Sequence, residues 1–412
     1  MGLTRHNFER RDAEDPLRLF RDQFHLPEGV VYLDGNSLGA LPKRAQERLS
    51  RVVGEEWGED LIRSWVLHDW IGLPERVGDK IGRLVGAGQG QVVVGDSTSV
   101  DLFKLLAAAL SLRADRTVIL TEQGNFPTDV YMAQGLIELL GGRHELRSVS
   151  THELSAAIDD DTAVVMLTHV NYRTGALLDL DALTEAAHAH GALALWDLSH
   201  SVGAVPVDLD QAGADLAVGC GYKYLNGGPG APAFVYVARH HQSAIRPALS
   251  GWMGHESPFA FEEVYRPAGG IRGLLVGTPS VLSLIALEEA VDLHLEAPMT
   301  LIRAKSKLLT QGFVDLVHQE CSQSGLRLAG PEEADLRGSQ VSLRHPGGYA
   351  IVQALSRQGV IGDFRTPDIL RFGFAPLYLR HVDVWDAVRT LRDIMATGSW
   401  DRPEFRQRAS VT

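Results

Sequence analysis

A chain of 412 residues, 45% hydrophobic and 22% charged, is long enough for one large core and a smaller one. Its 39 basic and 52 acidic residues give a formal charge of −13. That sign repels phosphate backbones and anionic lipid heads, so nucleic-acid and membrane-surface binding are excluded as first readings. Cys220 and Cys321 sit in separate segments without C-x-x-C spacing, which excludes a disulfide framework or structural zinc and predicts no metal site and a reducing, cytoplasmic setting.

The N-terminal stretch MGLTRHNFERRDAEDPLRLF is densely charged and lacks the apolar segment of a secretory signal. No apolar run approaches the ~20 residues that span a bilayer. VVVGD (92–96) reads as a strand and DLFKLLAAALSL as the helix after it. TVILTE (117–122) is a second strand, followed by a helix near DVYMAQGLIELL. TAVVMLTHV (162–170) is a third, and DALTEAAHAHG is an amphipathic helix stopped by Gly191. ALALWDLS, ADLAVGCGY and APAFVYVA continue the strand series. The early strands are short, apolar, β-branched and separated by helices, which predicts an α/β fold with a largely parallel sheet buried on both faces. From about position 280 the pattern changes. Long helical stretches (VLSLIALEEAVDLHLEA, LIRAKSKLLTQGFVDLVHQ) lead to SQVSLRHP, an IVQALSRQG helix and a VDVWDAVRTLRDIM helix, which predict a smaller α+β domain. The expected division is an N-terminal segment 1–65, a large domain 66–290 and a small domain 291–412, with the tail DRPEFRQRASVT frayed.

The chemistry gathers in WDLSHSVGAVPVDLDQAGADLAVGCGYKYLNGGPG. Asp197 ends one apolar strand, and Lys223 follows another and precedes a glycine-rich turn. In a parallel sheet the carboxyl ends of strands line one crevice, so both residues point there. A lysine amine forms an imine with the aldehyde of pyridoxal phosphate (PLP), and a carboxylate beside the pyridine nitrogen keeps it protonated. Either residue alone reads as a surface lysine or a strand-end cap; the pair points to PLP. GDSTSVDLF (95–103) places Ser97, Thr98 and Ser99 at a helix start, a phosphate site or a plain N-cap. GNFPTDVY (124–131) offers Phe126 to stack on the ring and Asp129 to hold a polar group, or a turn with a helix cap.

The ordered motifs YLDGNSLGALP, DSTS, NFPTD, DLSHSVGAV, GYKYLNGGPG, SGWMGH and RFGFAPLY, running from Tyr32 to Tyr378, resemble kynureninase, of the aspartate-aminotransferase-like fold type I of PLP enzymes. The resemblance implies hydrolytic Cβ–Cγ cleavage of L-kynurenine to anthranilate and L-alanine. It implies Lys223 as the Schiff-base lysine, Asp197 on the pyridine nitrogen, and His200, Phe126, Asp129 and Thr168 around the cofactor. Thr98 and Ser99 bind phosphate, and Tyr222 contacts phosphate and assists proton transfer. Arg371 clamps the substrate α-carboxylate with its bidentate guanidinium. Trp252 and Thr278 come from the neighbouring subunit of a homodimer. The resemblance also implies that Trp65, Gly277 and Thr278 face the substrate ring in a bacterial-type pattern without an evident acceptor for a 3-hydroxyl, so 3-hydroxykynurenine is the poorer expected substrate; Trp65 reads equally as an ordinary packed aromatic. Rival readings are a cysteine desulfurase or selenocysteine lyase, which needs a reactive loop cysteine, an aminotransferase, or a catalytically silent PLP-fold protein.

Overall fold

The computed structural model describes residues 2–408. Its centre is a seven-stranded sheet: β1 (Val92–Val94), β2 (Val118–Glu122), β3 (Glu145–Val149), β4 (Thr162–Thr168), β5 (Leu193–Asp197), β6 (Leu216–Cys220) and β7 (Ala233–Val237). The spatial order is β1-β7-β6-β5-β4-β2-β3. Only β7 runs antiparallel, against both β1 and β6. Because side chains alternate along a strand, an all-apolar strand serves two faces at once. Val165 and Leu167 of β4 pack on one side with helices Leu73–Leu84, Leu180–Ala189 and Val281–Leu295. Val164 and Met166 pack on the other with helices Thr98–Leu112 and Pro127–Leu139. Gly191 takes a left-handed φ of +72° just past Leu180–Ala189, as its reading as a helix stop requires.

A four-stranded antiparallel sheet forms the C-terminal part: β8 (Arg327–Leu328), β9 (Gln340–Arg344), β10 (Asp363–Arg365) and β11 (Ile369–Gly373), in the order β8-β9-β11-β10. Helices Met299–Glu320, Gly348–Arg357 and His381–Thr397 cover it. The N-terminal segment joins this second core through Phe8, Leu17, Phe24 and Leu33. Helix Val281–Leu295 links the two cores, with Leu284, Ile285, Leu287 and Val291 in the first and Leu293 in the second. The tail departs from expectation. Pro403–Arg406 form a short helix, and Phe405 packs on the C-terminal core; residues 409–412 lie outside the described residues. Among the described residues no helix is long and apolar enough to cross a membrane.

Candidate active site

The parallel strands deliver their carboxyl ends to one pocket of about 290 Å³, lined by Thr98, Ser99, Phe126, Asp129, Thr168, Asp197, Ser199, His200, Tyr222 and Lys223. Asp197 is the last residue of β5, and Tyr222 and Lys223 follow the adjacent β6. Thr168 ends β4 beside Asp197. Thr98 and Ser99 open helix Thr98–Leu112, whose N-cap Ser97 accepts from the Val100 N–H at 3.4 Å. Backbone N–H groups and hydroxyls at that helix start suit an anion. A larger hollow of about 590 Å³ between Arg239–Pro247 and Pro267–Leu274 has no carboxylate, imidazole or lysine in its lining.

Lys223 is only 9% exposed. Its Nζ lies 5.8 Å from the ring centroids of both Phe126 and Tyr222. Asp129, Thr168, Asp197 and His200 are all buried. Asp129 accepts from Thr168 Oγ1 at 3.4 Å, and Thr168 also donates to Asn125. Burial drives the Asp197 carboxyl up from its ordinary value, with Lys223 and the Ser199 N–H offsetting part of the cost. Burial and then the Asp197 charge push Asp129 well up. Burial first, and then Lys223, Arg371 and Arg365, hold His200 well below the usual imidazole value, so it is neutral. Burial lifts the Tyr222 phenol above its normal range, so it keeps its proton.

This chemistry fits PLP. Two buried carboxylates face one lysine, and a cationic pyridinium would supply a second positive charge there. His200 Nδ1 is buried without a protein partner, as a group awaiting a polar ligand is. The helix start provides the phosphate end.

Arg371 stands beside this pocket rather than in its lining. It is fully buried on β11, and its fork is turned to Asp363: Nε donates to Oδ1 at 2.8 Å and Nη2 to Oδ2. Nη2 also donates to Ser37 Oγ at 2.7 Å and Nη1 to the Tyr172 carbonyl at 2.9 Å. The Nε–Nη2 edge of the guanidinium is held by Asp363, which fixes its orientation beside the pocket. Tyr172 connects the two regions, its ring meeting Phe126 edge-on at 5.1 Å.

The remaining expected residues lie outside the pocket of their own chain. Trp65 packs edge-on against Trp70 at 5.8 Å. Gly277 and Thr278 line a neighbouring cleft with Gly95 and Asp96, next to the helix start. Trp252 is part of an exposed aromatic group with Phe259 and Phe261. Reading the sequence singled out neither Asn125, Ser199, Tyr172, Ser37 nor Asp363. Ser37 sat inside the YLDGNSLG motif and was open to recognition; Asp363, in GDFR, carried no signal.

The match to the family model "Kynureninase C-terminal domain" covers residues 302–391. The chain is 53% identical to a kynureninase of Burkholderia pseudomallei (strain 1106a) and 52% to one of Pseudomonas fluorescens, each over 99% of this chain and 100% of the relative. Among solved structures it superposes on a cysteine desulfurase of Thermococcus onnurineus NA1 (TM-score 0.78, 17% identity, 96% of this chain and 100% of that one). It also superposes on the cysteine desulfurase CsdA of Escherichia coli (TM-score 0.77, 19% identity, 92% and 98%). At those identities the structural likeness carries the fold alone, that of fold type I PLP enzymes. With half its residues shared along its whole length, the chain belongs to the kynureninase family, PLP-dependent enzymes acting on kynurenine.

Proposed function

We propose that this chain hydrolyses the Cβ–Cγ bond of L-kynurenine, giving anthranilate and L-alanine, with PLP held at Lys223. The observation that carries this is the meeting of Asp197 and Lys223, from the ends of adjacent strands, in one buried pocket with a helix start opposite. Bound PLP supplies the sink for electrons released from the substrate carbons. The protein's own groups do the rest. Thr98 and Ser99 would hold the phosphate, Phe126 would cover the ring, and Asp197 would accept from the ring N–H. The Lys223 amine moves the substrate α-proton. Tyr222, kept protonated by its burial, delivers a proton to the substrate β-carbon. Thr168, which also donates to Asn125, donates to Asp129 and holds it in the pocket. Arg371, positioned by Asp363, attracts the α-carboxylate.

The cysteines favour this reading over cysteine desulfuration. Both are buried free thiols. Cys321 closes helix Met299–Glu320 in the C-terminal core, where burial pushes its thiol up to about 11, far from a reactive thiolate. The same reading includes a cytoplasmic homodimer in which Trp252 and Thr278 complete the partner's site. The exposed, mutually contacting rings of Trp252, Phe259 and Phe261 support it, because a contiguous apolar patch is commonly covered by a partner. It keeps the division into an N-terminal segment 1–65, a large domain 66–290 that supplies the pocket lining, and a small domain 291–412.

The test is purified protein with PLP and L-kynurenine, followed by anthranilate fluorescence. PLP-dependent product is expected. With 3-hydroxykynurenine, kcat/KM should fall about tenfold, since a ring hydroxyl buried without an acceptor costs one to a few kcal/mol. No product from kynurenine contradicts the function, and equal rates contradict the Trp65, Gly277 and Thr278 assignment.

A pH dependence follows from Asp34. Burial, and next the Asp363 charge, push its carboxyl up to about 7, with Arg371 opposing. Below that pH Asp34 is neutral, and the Arg371, Arg365 and Asp363 group has a net positive charge. Above it Asp34 ionises and cancels that charge. KM for kynurenine should therefore rise several-fold from pH 6 to 8, and Asp34→Asn should flatten the rise. A wild-type KM that falls over this range contradicts the assignment.

A further inference from the structure

The amino ends of the sheet strands, away from the pocket, gather a second polar cluster. Asp215 immediately precedes β6, and its carbonyl accepts from the Ala238 N–H just after β7. β7 runs antiparallel to β6, so the short helix Arg239–Gln242 that follows it returns to Asp215. Helix Leu180–Ala189 ends at the same edge before β5 and brings His188. The five residues of β6 put roughly 17 Å of strand between this cluster and the start of the Tyr222–Lys223 loop.

Adjacent residues on a helix project about 100° apart. His240 and His241 nevertheless turn both Nε2 atoms toward one oxygen, Asp215 Oδ1, at 3.9 and 2.7 Å, with ring centroids 4.0 Å apart. The 3.9 Å approach is too long for a hydrogen bond. The other carboxylate oxygen, Oδ2, is held by the Ala194 N–H and His188 Nε2, both at 2.8 Å, which fixes Oδ1 toward the two imidazoles. The three ligand atoms all lie within 4.8 Å of one another. Tetrahedral zinc with bonds of about 2.0 Å sets ligand atoms about 3.3 Å apart, between the two separations seen here. The carboxylate is buried, while the His240 side chain is 68% exposed, leaving a fourth position toward solvent.

We propose that Asp215, His240 and His241 bind one divalent first-row transition cation, zinc by preference, with His188 and Ala194 orienting the carboxylate from behind. The sequence predicts no metal site because the donors come from segments that meet only in the fold. The ion would pin helix Arg239–Gln242 to the sheet edge, at a distance from catalysis.

The test uses the PLP-loaded enzyme, stripped with a chelator and dialysed. Zinc is titrated against a chromogenic competitor in the wild type, His240→Ala and His241→Ala. One equivalent per chain in the wild type is expected, bound at least tenfold more weakly by each variant, with kynurenine turnover unchanged. Cobalt(II) should give the visible absorption of a four-coordinate site in the wild type only. Absence of a stoichiometric equivalent, or equal zinc affinity in the variants, overturns the proposal. His240 lies on the surface, so its variant tests the site without disturbing the core.

Discussion

Replacing Lys223 by alanine should lower kynurenine turnover by at least ~10³-fold and abolish the visible absorbance of the PLP-loaded enzyme. The amine has two tasks in the pocket, attachment of the cofactor and movement of the substrate α-proton, and no other lysine lines it. Its charge is also the cation closest in effect to Asp197, whose carboxyl burial drives up and Lys223 draws back. Loss of the lysine leaves that carboxylate in a dry site, where protonation is the cheaper state. The variant should therefore fold, since a protonated Asp197 needs no cation. Turnover near the wild-type level would remove Lys223 from the chemistry.

Arg371→Lys should raise KM for kynurenine roughly 10- to 100-fold, the worth of a charge-assisted hydrogen bond to the carboxylate. Lysine keeps the charge beside Asp363, so the buried partner is not abandoned, but it loses the planar fork that reaches Asp363, Ser37 and Tyr172 together. The orientation fails while the fold survives. An unchanged KM, measured alongside an unchanged urea midpoint, would mean that Arg371 serves only the core.

The large sheet was legible because its buried strands are written as short apolar runs. The exception is β3, Glu145–Val149, whose polar ELRSV sequence reflects its place at the edge. Most of the pocket was legible for a similar reason: a parallel sheet sends strand ends to one side, so Asp197 and Lys223 had to meet. The surroundings of Arg371 were not. Asp363 sits directly opposite it in the β10–β11 pairing, a register that no local pattern announces. Ser37 and Tyr172 reach the same guanidinium from far along the chain. The positions of Trp65, Trp252, Gly277 and Thr278 follow from packing, which motifs do not encode.

The most direct test of the central claim is to reduce the PLP-loaded enzyme with borohydride and map the labelled peptide by mass spectrometry. Attachment of the reduced cofactor to Lys223, in the peptide containing GYKYLNGGPG, is the predicted result. A label on Lys80, Lys104 or any other lysine, with Lys223 unmodified, would contradict it.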